Sequence, residues 1–221
     1  LGGMHTLSQH IAQIREDYSL ATLDEHLAGD DPLALFEKWF REAEISEITD
    51  VNAMSLATVD ASLQPHVRTV LLKGLEDGGF VFYTNYESTK GQDISFCDKV
   101  SLLFFWKELQ RQVRIEGGAE RVTADLSDAY FRSRPFGSRI GAIASPQSRE
   151  IAARDILENR IQELLKQYGE DDAVPRPAHW GGYIVYPRRM EFWQGRSSRL
   201  HDRIVFESDG PQAWKKYRIA P

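Results

Sequence analysis

Between Ala53 and Thr123 the chain passes through five apolar segments at hairpin spacing, and this rhythm restricts the fold more than any other feature. "AMSLATVD" (53–60), "PHVRTVLLK" (65–73) and "GFVFYTN" (79–85) are rich in β-branched and aromatic residues, which favours strands. Ala61-Ser62 separates the first two, and Glu76-Asp77-Gly78-Gly79 separates the second from the third. "KVSLLFFW" (99–106) is almost continuously apolar, as expected of a strand covered on both faces. "LQRQVRIEGGAERVT" (109–123) predicts a long strand with a bulge or bend at Gly117-Gly118. Five or six successive strands so spaced favour an antiparallel barrel over a βαβ sheet, so the expected fold is mainly β with added helices. Strands at 180–194 and 202–207 and a short "AWKKYRIAP" complete it.

Helical periods flank the strands. The first fifty residues read as helical: Leu7, Ile11 and Ile14 recur at helical spacing, and Asp31-Pro32 starts a second helix. Asp31 is placed to cap it, and Pro32 takes the first position, where a missing N–H costs nothing. Leu33, Phe36, Trp39 and Phe40 make its apolar stripe. Thr123 caps another helix, and "SREIAARDILENRIQELLKQYG" carries Ile151, Ile156, Ile161, Leu164 and Leu165. "VPRPAHW" is a proline-rich connector. No repeat or composition break divides the chain. The expectation is one domain over 4–221, with N-terminal helices and a helical insertion around 123–168. Leu1-Gly2-Gly3 ahead of Met4 reads as a cloning remnant.

Composition removes several classes of function. A net charge of −6 argues against general nucleic-acid binding. No apolar run approaches the ~20 residues that cross a bilayer, and His5, His10 and Arg15 interrupt any signal-like stretch. Neither a membrane association nor a secretory route is expected. The single Cys97 excludes an internal disulfide and fits a reducing cytoplasm. One cysteine and six histidines without HxxH or HxxxH spacing give no metal site.

Against this acidic background, "RRMEFWQGRSSRLHDR" (188–203) gathers five arginines and a histidine with only two acids. Gly195 and Ser197-Ser198 predict a turn between strands, a place where guanidinium groups can meet a small anion. Three more clusters are polar. Arg68 and Lys73 interrupt an apolar strand. Thr84, Ser88, Thr89 and Lys90 lead into a helix start suited to phosphate. Tyr130, Arg134, Ser138, Gln147 and Ser148 form the third. Taken singly, Lys73 and Arg114 read as strand ends in water, Tyr130 as core, Ser138 and Ser148 as helix caps, and Arg188-Arg189 as solvated charge. Together they supply donors and no nucleophile–base pair, and the chain lacks GxSxG, HExxH and Gly-rich phosphate motifs. The pattern suits an enzyme that binds phosphorylated molecules and leaves the chemistry to a cofactor.

"RTVLLK", "VFYTNYESTK", "SLLFFW", "RQVRIEG", "YFRSRPFGSRIGA", "SPQS", "EFWQG" and "RLHDR", in this order, resemble the pyridoxamine 5′-phosphate oxidase family, as does the terminal "AWKKYRIAP". The resemblance runs from about residue 11 to 221. It implies an FMN-binding split β-barrel, Greek-key-like, working as a homodimer with FMN at the subunit interface. It also implies oxidation of pyridoxamine 5′-phosphate or pyridoxine 5′-phosphate to pyridoxal 5′-phosphate, with dioxygen reoxidising the flavin to give hydrogen peroxide. Matched motif by motif, the flavin ligands are Arg68, Thr69, Val70, Leu71, Leu72, Lys73, Tyr83, Thr84, Lys90, Gln112, Gln147, Ser148, Trp193 and Arg203. The substrate phosphate falls to Lys73, Tyr130, Arg134 and Ser138. Arg199, Leu200 and His201 hold the pyridine ring, with Arg199 and His201 the catalytic pair. The early "IREDY" matches a segment, Arg15 to Tyr18, that closes over the substrate, Asp17 being its poorest match. Two phosphates then account for most of the arginine surplus.

One departure stands out. The family commonly reads Ser-Arg-Lys where this chain has Ser88-Thr89-Lys90, so a flavin-contacting arginine is missing. The alternatives are a split-barrel flavin reductase, which the substrate-phosphate set disfavours, and a flavin- or vitamer-binding protein without turnover. Apolar surface at Leu102, Leu103, Phe104 and Phe105 is expected to need a second subunit.

Overall fold

In the computed structural model, residues 7–169 and 173–221 are described; the remnant expected at 1–3 lies outside them. Among the described residues, three helices precede the sheet: α1 (Leu7–Gln13), α2 (Glu25–Ala28) and α3 (Pro32–Ile45). The first fifty residues are therefore only partly helical, and 14–24 runs without helix. Asp31 accepts a hydrogen bond from Leu33 N at 2.9 Å, the expected cap. The buried stripe of α3 is Leu35, Phe36, Trp39 and Ala43, with Leu33 and Phe40 at its margin.

The strands are β1 (Ala53–Val59), β2 (Pro65–Leu71), β3 (Gly74–Glu76), β4 (Gly79–Asn85), β5 (Lys99–Trp106), β6 (Arg111–Arg121), β7 (Trp180–Gln194), β8 (Asp202–Ser208) and β9 (Trp214–Arg218). All pair antiparallel, in the order β2-β1-β5-β6-β7-β4-β3, with β8 on β7 and β9 on β8. The segment expected as one strand over 65–73 ends at Leu71, and the three-residue β3 follows as a hairpin with β4. β2 and β3 end the path without joining, so the sheet curls as a split barrel and does not close.

β7 organises this layout. β6 lies along one side of it, with a register shift between Glu116 and Gly117 where a bulge was expected. Its other side is divided: Trp180–Val185 pairs with β4, and Arg189–Gln194 with β8. The two ends of one strand therefore serve two different surfaces.

Phe36 packs edge-on against Phe80 and Phe104 with ring centroids 5.0 Å apart, and Trp39 meets Phe192 at 5.3 Å. These rings join α3 to both halves of the sheet. Truncating a fully buried phenylalanine such as Phe36 to alanine costs about 3–5 kcal/mol and would loosen α3 first. β5 does not have two covered faces within the chain. Val100, Leu102, Phe104 and Trp106 enter the core, whereas Leu103 is half-buried and Phe105 is 55% exposed. Only half of the quartet expected at the surface is there, because the side-chain period of a strand is two.

The remaining helices are α4 (Thr89–Phe96), α5 (Ala124–Ser133), α6 (Phe136–Ala144) and α7 (Arg154–Tyr168). α5 to α7 cover a satellite cluster of Phe131, Ile140, Val174 and Trp180. Thr123 caps α5 through Leu126 N, as expected. Neither Ser138 nor Ser148 is a cap: Ser138 lies inside α6, and Ser148 adopts a left-handed φ of 68°. α7 begins only at Arg154, leaving Ile151 outside it. No helix among the described residues is long and apolar enough to cross a membrane.

Candidate active site

The sheet places the sequence-selected residues in two groups. Thr69, Val70, Leu71, Lys73, Tyr83, Thr84, Lys90, Tyr130, Arg134 and Gln147 line one cavity of about 270 Å³, with Trp180. Ser138 joins Arg134, Gln147, Trp180 and Asn85 in an adjoining cavity of about 310 Å³. Arg68 precedes this lining on β2 and faces inward, and its charge reaches Lys90. Ser148 follows Gln147 and is exposed. Leu72 does not belong to this group. Its side chain is buried in the core, its N–H donates to Asn52 O, and its carbonyl accepts from Asn52 Nδ2.

Lys90 is the most unusual member. It sits in the first turn of α4, which Ser88 caps through Gly91 N, and it is only 8% exposed. Burial and then the neighbouring Arg68 push its pKa down to about 8. No carboxylate among the described residues pairs with it. Its Nζ donates to Gln147 Oε1 at 3.2 Å, and Thr84 Oγ1 donates to the same oxygen at 3.0 Å. A buried cation without a counter-ion, at a helix N-terminus beside a second cation, is built to receive an anion.

Three near-parallel rings also line the cavity. Tyr83 and Tyr130 stack at 3.8 Å, and Trp180 lies 5.6 Å from Tyr83. Burial drives the Tyr83 phenol up to about 12, so it remains a neutral donor. The Arg134 guanidinium lies 4.6 Å over Trp180, and burial lowers its pKa. Arg134 and the exposed Lys73 add two more positive side chains to the lining that holds Lys90. Sequence reasoning missed Trp180. The available signal was the adjacent Gly181-Gly182, since a Cβ on Gly182 would stand 2.8 Å from the Tyr83 ring.

The second group lies at the other end of β7. Gln112, Trp193 and Arg203 stand opposite one another across β6, β7 and β8, with Phe105 of β5 opposite Gln112. Tyr18 meets Trp193 edge-on at 6.0 Å, and His201 lies 4.6 Å from Trp193. Gly195 permits this approach, because a Cβ there would come within 3.0 Å of the Tyr18 ring. Asp17, the poorest match in its segment, accepts from Ser198 N at 3.3 Å and ties that segment to the turn. Arg15 and Leu200 are exposed, and Arg199 has a left-handed φ of 59°. His201 Nδ1 accepts from Arg196 N at 2.9 Å, so the neutral ring carries its proton on Nε2. Burial and then Arg199 lower the pKa of His201 and favour that neutral form.

Part of the arginine-rich run is paired inside the chain. Glu191, 1% exposed, receives both Nε and Nη2 of Arg203 at 3.0 Å and is also met by Arg189. Arg189 is therefore part of a network and not a solvated strand end. Asp202 takes Arg196 at 2.7 Å and Arg218 at 2.8 Å. These two buried acids pair with three of the five arginines of the run, Arg189, Arg196 and Arg203.

The family pattern described as pyridoxamine 5′-phosphate oxidase matches residues 41–168, more than half of the chain. The chain belongs to the pyridoxamine 5′-phosphate oxidase family. A second pattern, the pyridoxine 5′-phosphate oxidase C-terminal dimerisation region, matches residues 180–221. Relatives named pyridoxine/pyridoxamine 5′-phosphate oxidase include one from Leptospira interrogans, 55% identical over 96% of this chain and 98% of its own length. Another, from Cupriavidus necator, is 52% identical over 96% of this chain and 99% of its own. Among solved structures, PhzG from Burkholderia lata, in complex with tetrahydrophenazine-1-carboxylic acid, superposes with a TM-score of 0.84. It is 29% identical and covers 92% of this chain and 100% of its own. A pyridoxamine 5′-phosphate oxidase-related, FMN-binding protein from Nostoc punctiforme, 18% identical, shares the fold at a TM-score of 0.69, over 86% of this chain and 98% of its own.

Proposed function

We propose that this protein oxidises pyridoxamine 5′-phosphate and pyridoxine 5′-phosphate to pyridoxal 5′-phosphate, as an FMN-dependent homodimer. The observation that carries the reading is a cavity lined by Lys73, Lys90 and Arg134 together with the stacked Tyr83 and Tyr130, with Arg68 beside Lys90. Arg68 and Lys90 suit one phosphate, and Lys73 with Arg134 suits another. One phosphate belongs to the flavin and one to the substrate. The donor set fits FMN, since a dianion supplies the counter-charge that the buried Lys90 lacks.

Bound FMN would supply a two-electron acceptor for the hydride of the substrate's aminomethyl or hydroxymethyl carbon and would pass the electrons to dioxygen as hydrogen peroxide. The alcohol would also lose its hydroxyl proton to give the aldehyde, and the imine from the amine would take up water and release ammonia. The chain contributes binding and alignment. Arg68, Lys90, Thr84 and Gln147 hold the flavin phosphate end. Thr69, Val70 and Leu71 line the path toward the ring. Lys73, Tyr130, Arg134 and Ser138 anchor the substrate phosphate, and that anchoring fixes the reacting carbon in attack geometry.

Arg199 and His201 act on the pyridine ring from the partner subunit, because within one chain they lie at the opposite end of β7 from the cavity. Gln112, Trp193 and Arg203 cross to the same site. Ala57, Val67 and Leu103 line a depression on the outer sheet face that also includes Gln112, which makes this face the natural subunit contact. His201 presents Nε2–H and so orients the ring as a hydrogen-bond donor; it does not remove a proton. Arg199 stays protonated and cannot be a base. Tyr18, packed on Trp193 and His201, shields this half-site from water, and the exposed Arg15 belongs to the same segment. The protein acts in the cytoplasm. Adding pyridoxamine 5′-phosphate without oxygen should bleach the flavin spectrum, and admitting air should restore it with one peroxide per turnover. A flavin that stays oxidised under substrate and bleaches with a nicotinamide donor would refute the assignment.

A further inference from the structure

Behind Arg68 lies a group of side chains that touches neither cavity. We propose that Thr58, Asp93 and His66 form a hydrogen-bonded relay that positions the Arg68 guanidinium for the flavin phosphate. The inference rests on the reading of Arg68 as a phosphate ligand.

Arg68 Nη1 is committed to the protein. It donates to Thr58 Oγ1 at 2.6 Å, to Leu56 O at 3.2 Å and, at the limit, to His66 O at 3.4 Å. The Nη2 nitrogen stands 3.8 Å from Asp93 Oδ2, beyond hydrogen-bond reach, and Nε has no acceptor among the described residues. The guanidinium is therefore pinned by one nitrogen, with its Nε and Nη2 edge left for a ligand. That edge is the fork that meets two phosphate oxygens.

The pin has a direction. Asp93 is 4% exposed, and its Oδ2 accepts from Thr58 Oγ1 at 2.7 Å and from His66 Nδ1 at 2.7 Å. Burial opposes its charge, but these two hydrogen bonds, together with the charges of His66 and Arg68, outweigh it and hold the carboxyl below its ordinary range. An ionised carboxylate only accepts, so the Thr58 hydroxyl proton points to Asp93. The hydroxyl lone pairs then face Arg68. Asp93 thus sets a hydroxyl that would otherwise rotate. His66 takes the second hydrogen bond to Oδ2, and Arg68 Nη2 stands 3.8 Å from that oxygen, paired by charge and not by a hydrogen bond. Asp60 is the other carboxylate facing His66, 3.8 Å from Nε2.

The relay also couples the two cations. Lys90 and Asp93 are three residues apart on α4 and share a face. Any movement of α4 shifts the ammonium and the support of the guanidinium together.

The test is a comparison of FMN with riboflavin, which has the same ring system and no phosphate, titrated into flavin-stripped full-length protein. Thr58→Val, Asp93→Asn and His66→Leu should each raise the FMN dissociation constant about tenfold, as expected for a misaligned charged hydrogen bond. The riboflavin constant should not move. Thr58→Ser keeps the hydroxyl and should restore FMN binding to the wild-type value. Parallel weakening of FMN and riboflavin would assign these residues a purely structural role and overturn the relay. Unchanged FMN binding in all three variants, while Arg68→Met still weakens it, would also overturn it. If Arg68→Met itself leaves FMN binding unchanged, the phosphate reading of Arg68 fails and the relay falls with it.

Discussion

Replacing Lys90 by methionine should make the flavin-free protein more stable and the flavin more weakly held. In the free chain, burial lowers the Lys90 pKa from 10.5 to about 8. At 1.36 kcal/mol per unit, the charged form is disfavoured by roughly 3 kcal/mol relative to the unfolded chain. The sign follows from proton counts. Between about pH 8 and 10.5 the unfolded chain holds more protons at this site, so flavin-free stability rises with pH across that window. Below pH 8 the penalty is present in full. Methionine removes it and forfeits the bond to Gln147, worth about 1 kcal/mol. The net gain at pH 7 is about 1–2 kcal/mol, or about 2–8 °C in melting temperature for a chain of this length. FMN loses a charged contact worth about 1.5–3 kcal/mol, so its affinity falls by about tenfold to a hundredfold. In the wild type, FMN affinity should also decline above pH 8, because binding then requires proton uptake at Lys90; the variant should lack that slope. Thermal melts of stripped protein at fixed chain concentration and flavin-fluorescence titrations from pH 6 to 10 measure both quantities. A flavin-free variant less stable than wild type at pH 7, with unchanged FMN affinity, would refute the picture of Lys90 as a strained anion seat.

Arg199→Ala should lower turnover more than tenfold while leaving flavin content unchanged, as absorbance per chain and single-turnover bleaching would report; normal turnover would remove Arg199 from the site. Phe105→Glu puts a charge on the half-covered face of β5, and sizing should show the species of about twice 25.3 kDa giving way to monomer with loss of flavin. A flavin-loaded dimer in that variant would exclude the face as the subunit contact. Thr89→Arg should tighten FMN by about tenfold or more, since a charged contact replaces a neutral hydroxyl. Equal affinity would mean that Arg149, which pairs with Glu87 at 3.3 Å beside this helix start, already serves the phosphate.

Local rules made much of this protein legible in its sequence. Runs of β-branched, aromatic and apolar residues bounded by turn signals located β1, β2, β4, β5, β6, β7 and β8, because such side chains favour a pleated, packed surface whatever the core beneath it contains. Asp31 and Thr123 announced helix starts because a cap bonds to a backbone N–H only two or three residues away. The Gly117 bulge and the turn at 195–198 were visible for the same reason. The family resemblance further selected the residues of the cavity. Tertiary structure alone decided how those residues are divided. A strand's period does not reveal that β7 pairs with β4 at one end and with β8 at the other, and this division separates Tyr83 from Trp193. It does not reveal that Leu72 turns into the core, that Glu191 and Asp202 pair with Arg189, Arg196 and Arg203, or that Lys90 is buried without a counter-ion. His66 and Asp93 are 27 residues apart, and Lys90 and Gln147 are 57 apart. Pairings at that range, and the desolvation that shifts a pKa, depend on which surfaces pack together, and no local pattern encodes that.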